Sequence, residues 1–214
     1  PRDVVGGDFY VYREQTDGYL IGVVDCAGHG VPGALMTMLA RAAIDHAIEA
    51  VGSRDPAAIL GETDQAMRSM LSQEQIPQAL ATNMDAGLVW VDRRRRQLAF
   101  AGAKISLYAS DGEEVQELKG ARRAIGDKRR GDYRNIEVPL APGWTFYLST
   151  DGFLDQAGGE HGFGFGSRRF ADMLRDHARQ PLPEQAEAFV ATLAEYQGEH
   201  PQRDDITILS FRFD

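Results

Sequence analysis

The amino-acid sequence predicts an α+β protein in which strands and helices occur in separate blocks. Two strand-like runs are followed by two helices, a series of short strands, two more helices and a closing strand. Because a doubly wound parallel sheet would alternate strands with helices, this order favours antiparallel sheets flanked by helix pairs. A composition of 43% hydrophobic and 26% charged residues is typical of a globular protein of 214 residues.

The first two strands are predicted to form a hairpin. Residues 15–18 carry a turn signal between two apolar runs. A turn centred between Thr16 and Asp17 places Asp8 opposite Asp25, and a turn centred one residue later shifts this register by one pair. In both registers the two carboxylates lie at the same end of the hairpin.

Two amphipathic helices are predicted after the hairpin. The first follows the glycine-rich segment 28–33 and runs to about residue 51, with Pro32 in its first turn. The second opens at Asp55, an N-cap followed by proline, and runs to about residue 71. Apolar spacing puts five residues near one face of the first helix: Val31, Leu35, Met38, Ala42 and Ile48. In the second helix the residues expected to point inward are Ile59, Thr63, Ala66, Met67 and Met70.

The region 86–148 is predicted to be an antiparallel meander of short strands. Its strands are expected at 87–91, 98–102, 106–109, 115–118, 133–138 and 145–149. Helices at about 167–177 and 183–196 and a strand at 205–213 complete the chain. Two layers of strands with two helix pairs predict a sheet sandwich flanked by helices, with residues 1–214 as a single domain.

Charge and composition exclude several functions. The formal charge of 23 minus 32, or −9, argues against a nucleic-acid partner, and no apolar run approaches the roughly 18 residues of a membrane span. The basic run at 93–96 is interpreted as a solvated hairpin loop rather than a docking patch. A single cysteine, Cys26, fits a reducing compartment. The abrupt start before Gly6 suggests a segment cut from a longer protein.

Four aspartates, Asp8, Asp25, Asp151 and Asp204, lie where apolar runs begin or end. A charged residue can occupy only the solvent-accessible end of a buried strand, so these carboxylates are expected at the ends of strands. Since the start of one antiparallel strand neighbours the end of the next, Asp204 and Asp151 are expected to share an edge. Carboxylate oxygens suit Mg²⁺ or Mn²⁺, and the five histidines form no zinc-type cluster.

Other chemistry-bearing residues have competing interpretations. Cys26 is interpreted as a buried strand residue, because a cysteine phosphatase would carry arginine six positions later, where this chain has Pro32. Gly28, His29 and Gly30 lead into a helix N-terminus, where free amides attract phosphate, but the glycines also suit a tight turn. Both interpretations stay open. The glycine-rich segment 162–166 is expected to be a loop rather than a phosphate-binding loop.

Four ordered motifs resemble the metal-dependent PPM protein phosphatases, in particular the bacterial SpoIIE-like branch. They are Gly6-Gly7-Asp8, the run DCAGHGVPGAL at 25–35, Ser149-Thr150-Asp151-Gly152 and Asp204-Asp205-Ile206-Thr207. The resemblance extends from Gly6 to Phe213. It implies an αββα sandwich of two antiparallel sheets, with two Mn²⁺ or Mg²⁺ ions, that hydrolyses phosphoserine or phosphothreonine on a protein.

The resemblance also implies roles for individual residues. Asp25 would bridge both metal ions, Asp8 and the backbone carbonyl of Cys26 would complete one site, and Asp151 and Asp204 would hold the other. A hydroxide bridging the metals would attack phosphorus in line with the leaving serine oxygen.

Three positions near this site have lesser or altered roles. Asp205 is expected to contact ligands rather than a metal. His29 is not assigned as a general acid. Ala103 stands where relatives often have histidine, a change that removes no metal ligand.

The implied substrate is a phosphorylated STAS-type, anti-anti-sigma-like protein. The implied context is a cytoplasmic domain of a longer sensor protein, which can be membrane-anchored and can form a homodimer. Two other hypotheses stay open: a catalytically weak regulatory module that binds a phosphoprotein on the same fold, and a structural β domain stabilised by cations.

Overall fold

The computed structural model describes residues 6–28, 30–73 and 83–213, and its strands form two main antiparallel sheets. A two-stranded hairpin of β9 (Ala157–Gly158) and β10 (Phe163–Gly164) lies outside them. The first sheet has the order β1 (Asp8–Gln15), β2 (Gly18–Cys26), β3 (Met84–Asp92), β4 (Gln97–Ala103) and β7 (Ile136–Pro139). The second has the order β11 (Ile208–Arg212), β8 (Thr145–Ser149), β5 (Leu107–Ser110) and β6 (Val115–Leu118).

Helices cover the outer faces of both sheets. The first sheet packs against α1 (Gly30–Val51) and α2 (Pro56–Gln73). The second packs against α4 (Gly166–His177) and α5 (Leu182–Gln197), with the short α3 (Gly152–Asp155) beside them. A third apolar cluster fills the space between the sheets. The predicted αββα sandwich is therefore confirmed.

The sequence of strand β2 is almost continuously apolar because both faces of the strand are covered. Leu20 and Val24 pack into the cluster beneath α1 and α2, whereas Val23 packs into the cluster between the sheets. Because alternate side chains point to opposite faces of a strand, a strand covered on both faces needs apolar residues on both. The middle of the first sheet is thus fixed by burial, and polar groups are confined to its ends.

The two helices after the hairpin differ in how well their buried face was predicted. In α2, Ile59, Thr63 and Met67 are buried, and the Ala58 N–H donates to Asp55 Oδ1 at 3.0 Å, which confirms the N-cap. In α1 the predicted face is wrong, because four of the five residues assigned to it are exposed. The exposed fractions are 75% for Val31, 56% for Leu35 and 70% for Met38, and Ala42 is also exposed, whereas Ile48 is buried.

Small residues explain the rotation of α1. Its buried side includes Gly33, Ala40, Ala43 and Ala47, which allow the helix to approach its neighbours closely. A Cβ atom at Gly33 would lie 2.6 Å from the Gly28 carbonyl oxygen. Val31, Leu35 and Met38 therefore lie outward, which a pattern based on hydrophobicity alone does not reveal.

The predicted single meander is also wrong. The chain leaves the first sheet after β4, adds β5 and β6 to the second, returns to pair β7 with β4, and then enters the second sheet again as β8. Four-residue strands with similar patterns carry no signal for the sheet that they join. The closing strand begins at Ile208 rather than 205, so Asp204 lies in the segment before it.

Two smaller expectations concern surfaces. The arginine run at 93–96 forms an exposed turn between β3 and β4, as predicted. No helix among the described residues is long and apolar enough to cross a membrane.

Candidate active site

The first sheet brings three carboxylates side by side at one end. Asp8 pairs with Asp25 across β1 and β2, which confirms the register of a turn centred between Thr16 and Asp17. On its other side, Asp25 pairs with Asp85 of β3. Asp85 was missed because β3 was predicted to begin at Gly87 and in fact begins at Met84. An acidic residue at the start of an apolar strand, the signal used for Asp8, could have identified it.

The second sheet contributes Asp151 and Asp204 from neighbouring segments. Asp151 follows the end of β8, and β11 runs antiparallel beside it with Ile208 opposite Ser149. The Thr150 N–H donates to the Thr207 carbonyl oxygen at 3.1 Å, which extends this pairing toward Asp204. The structure therefore places Asp151 and Asp204 at the same edge, as expected for antiparallel neighbours.

Two hydrogen bonds join the edges of the two sheets. Thr150 Oγ1 donates to Asp8 Oδ2 at 2.8 Å, and the Gly7 N–H donates to Asp205 Oδ2 at 2.5 Å. Asp205 is 7% exposed, and its own N–H donates to Asp204 Oδ1 at 2.8 Å. Asp205 thus lies behind the edge and holds the residue before Asp8, which fits the supporting role implied by the resemblance.

The carboxylates affect each other's charge. Burial, followed by the negative charges of Asp8 and Asp151, raises the pKa of Asp25 to about 8. Burial also raises the pKa of Asp8, although hydrogen bonds from two threonine side chains oppose this. The pKa of Asp151 is raised by the partial burial of its carboxyl group and then by neighbouring acids. An edge in which these groups are all ionised needs positive charge from elsewhere.

The residues present fit a hard divalent cation, because the acidic side chains at this edge offer carboxylate oxygens. A Cβ atom at Gly7 would lie 2.5 Å from the carbonyl oxygen of Cys26, so glycine leaves space around that carbonyl next to Asp8. Among the described residues, however, no group of three or more His, Cys, Asp or Glu side chains converges closely enough to hold a metal ion. The aspartates share an edge without meeting at one point, and their ligand roles stay predictions.

Cys26 is confirmed as a buried strand residue. It ends β2 with 2% of its surface exposed. Burial, with the nearby Asp25 charge, raises the pKa of its thiol to about 12, which opposes formation of the thiolate needed for nucleophilic attack.

The glycines of the turn into α1 adopt backbone conformations that the tight-turn interpretation requires. Gly28 and Gly30 have φ angles of 99° and 66°, which other residues seldom adopt. His29 lies outside the described residues. A contact between this turn and phosphate stays a prediction.

A basic side chain, that of Lys104, reaches this acidic edge. Lys104 Nζ lies 2.8 Å from Asp85 Oδ2, and the Lys104 charge also acts on Asp151 and Asp25. No sequence pattern had singled it out, because a lone lysine after a strand is ordinarily a solvated surface residue.

A family model described as Stage II sporulation protein E (SpoIIE) matches residues 15–214. The chain belongs to the SpoIIE family. Proteins of this family are PP2C-type serine/threonine phosphatases, and PP2C-type phosphatases generally use Mn²⁺ or Mg²⁺. The resemblance inferred from the four motifs is confirmed.

Individual SpoIIE relatives agree with this assignment. Phosphoserine phosphatase RsbP of Bacillus subtilis (strain 168) is 23% identical over 205 residues, which cover 94% of this chain and 47% of RsbP. The chain therefore spans about half the length of this curated relative.

Solved structures extend the comparison. The SiaA-PP2C domain of Pseudomonas aeruginosa is 94% identical with a TM-score of 0.93, over 100% of this chain and 82% of that one. RsbX in complex with magnesium is 17% identical with a TM-score of 0.64, over 96% and 86% of the two chains, and shows a shared fold.

Proposed function

We propose that this domain is a metal-dependent phosphatase that hydrolyses phosphoserine or phosphothreonine on a protein at the edge carrying Asp8, Asp25, Asp151 and Asp204. The observation that carries the proposal is the strand register that places Asp8 opposite Asp25, with Asp151 brought to the same end through the bond from Thr150 to Asp8. Membership of the SpoIIE family supports the reaction class.

The proposed site holds two Mn²⁺ or Mg²⁺ ions. Asp25 would be shared, Asp8 and the Cys26 carbonyl would complete one position, and Asp151 and Asp204 the other. When bound, the ions neutralise charge on the phosphoryl oxygens and make water available as a nucleophile near neutral pH.

The chain itself contributes orientation rather than a nucleophile. Asp8 and Asp25 stand at the ends of paired strands, so their backbones are fixed by the sheet. The Thr150 hydroxyl orients Asp8, and the Asp205 carboxylate fixes the backbone at Gly7. Asp151 and Asp204 are exposed, which leaves the edge open to a phosphorylated side chain on another protein.

The substrate in this proposal is a phosphorylated STAS-type regulator. The support is family resemblance, together with the identification of RsbP as a phosphoserine phosphatase. Residues 1–214 are taken as one phosphatase domain in the cytoplasmic part of a longer, membrane-anchored sensor protein that forms a homodimer. Co-purification of the full-length protein with membranes and its mass in solution test these two parts separately.

Hydrolysis of a phosphoserine peptide, measured as phosphate release with Mn²⁺ or Mg²⁺, tests the main proposal. We expect turnover that depends on the metal and is lost in Asp25→Asn and Asp151→Asn. Asp172→Asn is the matched control, because Asp172 forms a surface ion pair with Arg175 on α4. Undiminished turnover in either site variant, or in excess chelator, would refute the assignment.

A second candidate function is a regulatory module that binds a phosphoprotein with little turnover. It is favoured by one observation, that the described acidic side chains do not converge on one point. It predicts saturable binding of a phosphoserine peptide with no phosphate release at any Mn²⁺ concentration. Metal-dependent release at more than one turnover per protein decides for the enzyme.

A further inference from the structure

Lys104 is a basic residue set directly into the acidic edge. Its ammonium group pairs with Asp85, and Asp85 lies opposite Asp25 in the sheet. The Lys104 side chain is 47% exposed, whereas that of Asp85 is 16% exposed. The pair is therefore anchored on its acidic side and open to solvent on its basic side.

The backbone at Lys104 is held in an unusual conformation. Its φ angle is 64°, in the left-handed region where glycine is the favoured residue. The Lys104 N–H donates to the Ala121 carbonyl oxygen at 2.7 Å, and a side chain at either Gly102 or Gly120 would collide with the Ile105 carbonyl oxygen. The surrounding chain imposes this conformation, and a lysine occupies it where glycine would fit without strain. Strained non-glycine residues of this kind are concentrated at functional sites.

The negative charge at this edge would repel a phosphoryl group, and the positive charge of Lys104 offsets that repulsion. A phosphoryl group approaching Asp25 and Asp151 meets their negative charge as well as that of Asp85. Lysine has three N–H donors, and the pairing with Asp85 leaves donors for another acceptor. An ammonium group is a common point-charge ligand of phosphate.

We propose that Lys104 binds a phosphoryl oxygen of the substrate and that Asp85 holds its ammonium group in position. This inference rests on the proposed phosphatase function, because it assigns a substrate contact at the same site. Lys104 is thus a substrate-binding residue, and Asp85 is a positioning residue that acts through it.

The test measures binding of inorganic phosphate to the Mn²⁺-loaded protein by calorimetry, and separately KM and kcat for a phosphoserine peptide. Lys104→Met is expected to weaken phosphate binding roughly ten- to a hundredfold, the range for a charged hydrogen bond, with a matching rise in KM. Lys104→Arg is expected to retain binding to within about threefold, because it keeps the charge. Lys119→Met is the control, since Lys119 forms an exposed pair with Glu117, 3.8 Å away.

Asp85→Asn separates this role from a purely structural ion pair. A structural pair predicts equal losses for Asp85→Asn and Lys104→Met, whereas phosphate binding by Lys104 predicts a much smaller loss for Asp85→Asn. If Lys104→Met folds poorly, Lys104→Gly suits the left-handed backbone and replaces it. Mn²⁺ affinity is measured in each variant and is expected not to fall in Lys104→Met, because the substitution removes a positive charge that acts on Asp25 and Asp151.

The binding measurement keeps the two proposals distinguishable. If the wild-type protein binds phosphate through Lys104 but releases none from the peptide, the phosphatase proposal fails and the binding assignment holds. If the wild-type protein turns over and Lys104→Met binds phosphate as tightly as wild type, the Lys104 assignment is wrong. Absence of phosphate binding to the wild-type protein also overturns it.

Discussion

The two ends of the first hairpin differ in whether their acidic residues form ion pairs. At the turn end, acids are paired with arginines: Asp17 with Arg54, Glu14 with Arg93, and Asp92 with Arg95. At the other end, Asp8 and Asp25 face each other, and no ion pair within the described residues includes either of them, Asp151 or Asp204. Natural proteins accept unfavourable charge where function needs it. The comparison indicates that the turn end supports the fold and the carboxylate end is kept for ligands.

The largest expected difference between the ends is in catalysis. Asp25→Asn is expected to lower metal-dependent turnover by roughly a thousandfold or more, because metal ions supply several kcal/mol of transition-state stabilisation. Asp17→Asn is the matched change at the turn end, and its turnover is expected to stay near wild type. Phosphate release from a phosphoserine peptide measures both, and equal losses would remove the distinction.

A glycine at each end offers a second matched pair. A methyl group at Gly7 would crowd the Cys26 carbonyl beside Asp8, and one at Gly18 would collide with the Val91 carbonyl at the turn end. Overpacking of this kind costs about 1–3 kcal/mol of folding free energy in each variant. Gly7→Ala is expected to raise the Mn²⁺ concentration for half-maximal turnover, while folded Gly18→Ala keeps the wild-type value. Urea unfolding and a Mn²⁺ titration of turnover test the pair.

The ends should also differ in how metal-free stability depends on pH. Since the folded-state pKa of Asp25 is raised to about 8, the folded protein binds this proton more tightly than the unfolded chain does. The associated stability is complete below the ordinary aspartate pKa and is lost as pH rises through about 8. In chelator, the wild-type Tm is therefore expected to fall from pH 5 to pH 9 more steeply than that of Asp25→Asn.

The melting temperatures of Asp25→Asn and Asp17→Asn are expected to differ in their dependence on pH. At pH 9, Asp25→Asn is expected to melt a few degrees above wild type in chelator, because it lacks the buried negative charge. Asp17→Asn should keep the wild-type slope with pH. A wild-type Tm that is level across this range, or a slope that persists in Asp25→Asn, would contradict the electrostatic account.

The smallest effect is expected at the turn-end ion pairs. Arg93 pairs with Glu14 through half-exposed side chains, an arrangement that contributes little to stability because water and salt screen it. Arg93→Met is expected to lower the Tm only slightly, to lose this difference at high salt and to leave turnover unchanged. A large loss of turnover would show that the turn end also serves catalysis.

The sequence was most informative where burial and turn chemistry act together. The pairing of Asp8 with Asp25 followed from the turn at Thr16 and Asp17, because hairpin register is set locally. The exposed face of α1 could not be predicted in this way, since close packing through Gly33 and the alanines outweighed hydrophobic spacing. The exchange of strands between sheets depends on long-range contacts that short strands do not encode.

The site shows the same division between local and distant information. Single motifs identified Asp151 and Asp204, and antiparallel geometry placed them together. The hydrogen bond from Thr150 to Asp8 joins residues that are 142 positions apart in the sequence. The ion pair of Lys104 with Asp85 depends on a left-handed backbone conformation at Lys104, which no residue pattern predicted. Distant polar contacts of this kind become visible only in the folded chain.

The most direct test of the carboxylate edge is calorimetric titration of Mn²⁺ into the wild-type protein and Asp25→Asn, in two buffers with different ionisation enthalpies. Because metal ligands must lose their protons and the pKa of Asp25 is raised to about 8, binding at pH 7 is expected to release protons from the wild-type protein. Asp25→Asn is expected to bind far more weakly and to release fewer protons. Equal affinity and equal proton release in the two proteins would contradict the central claim that this edge is the metal site.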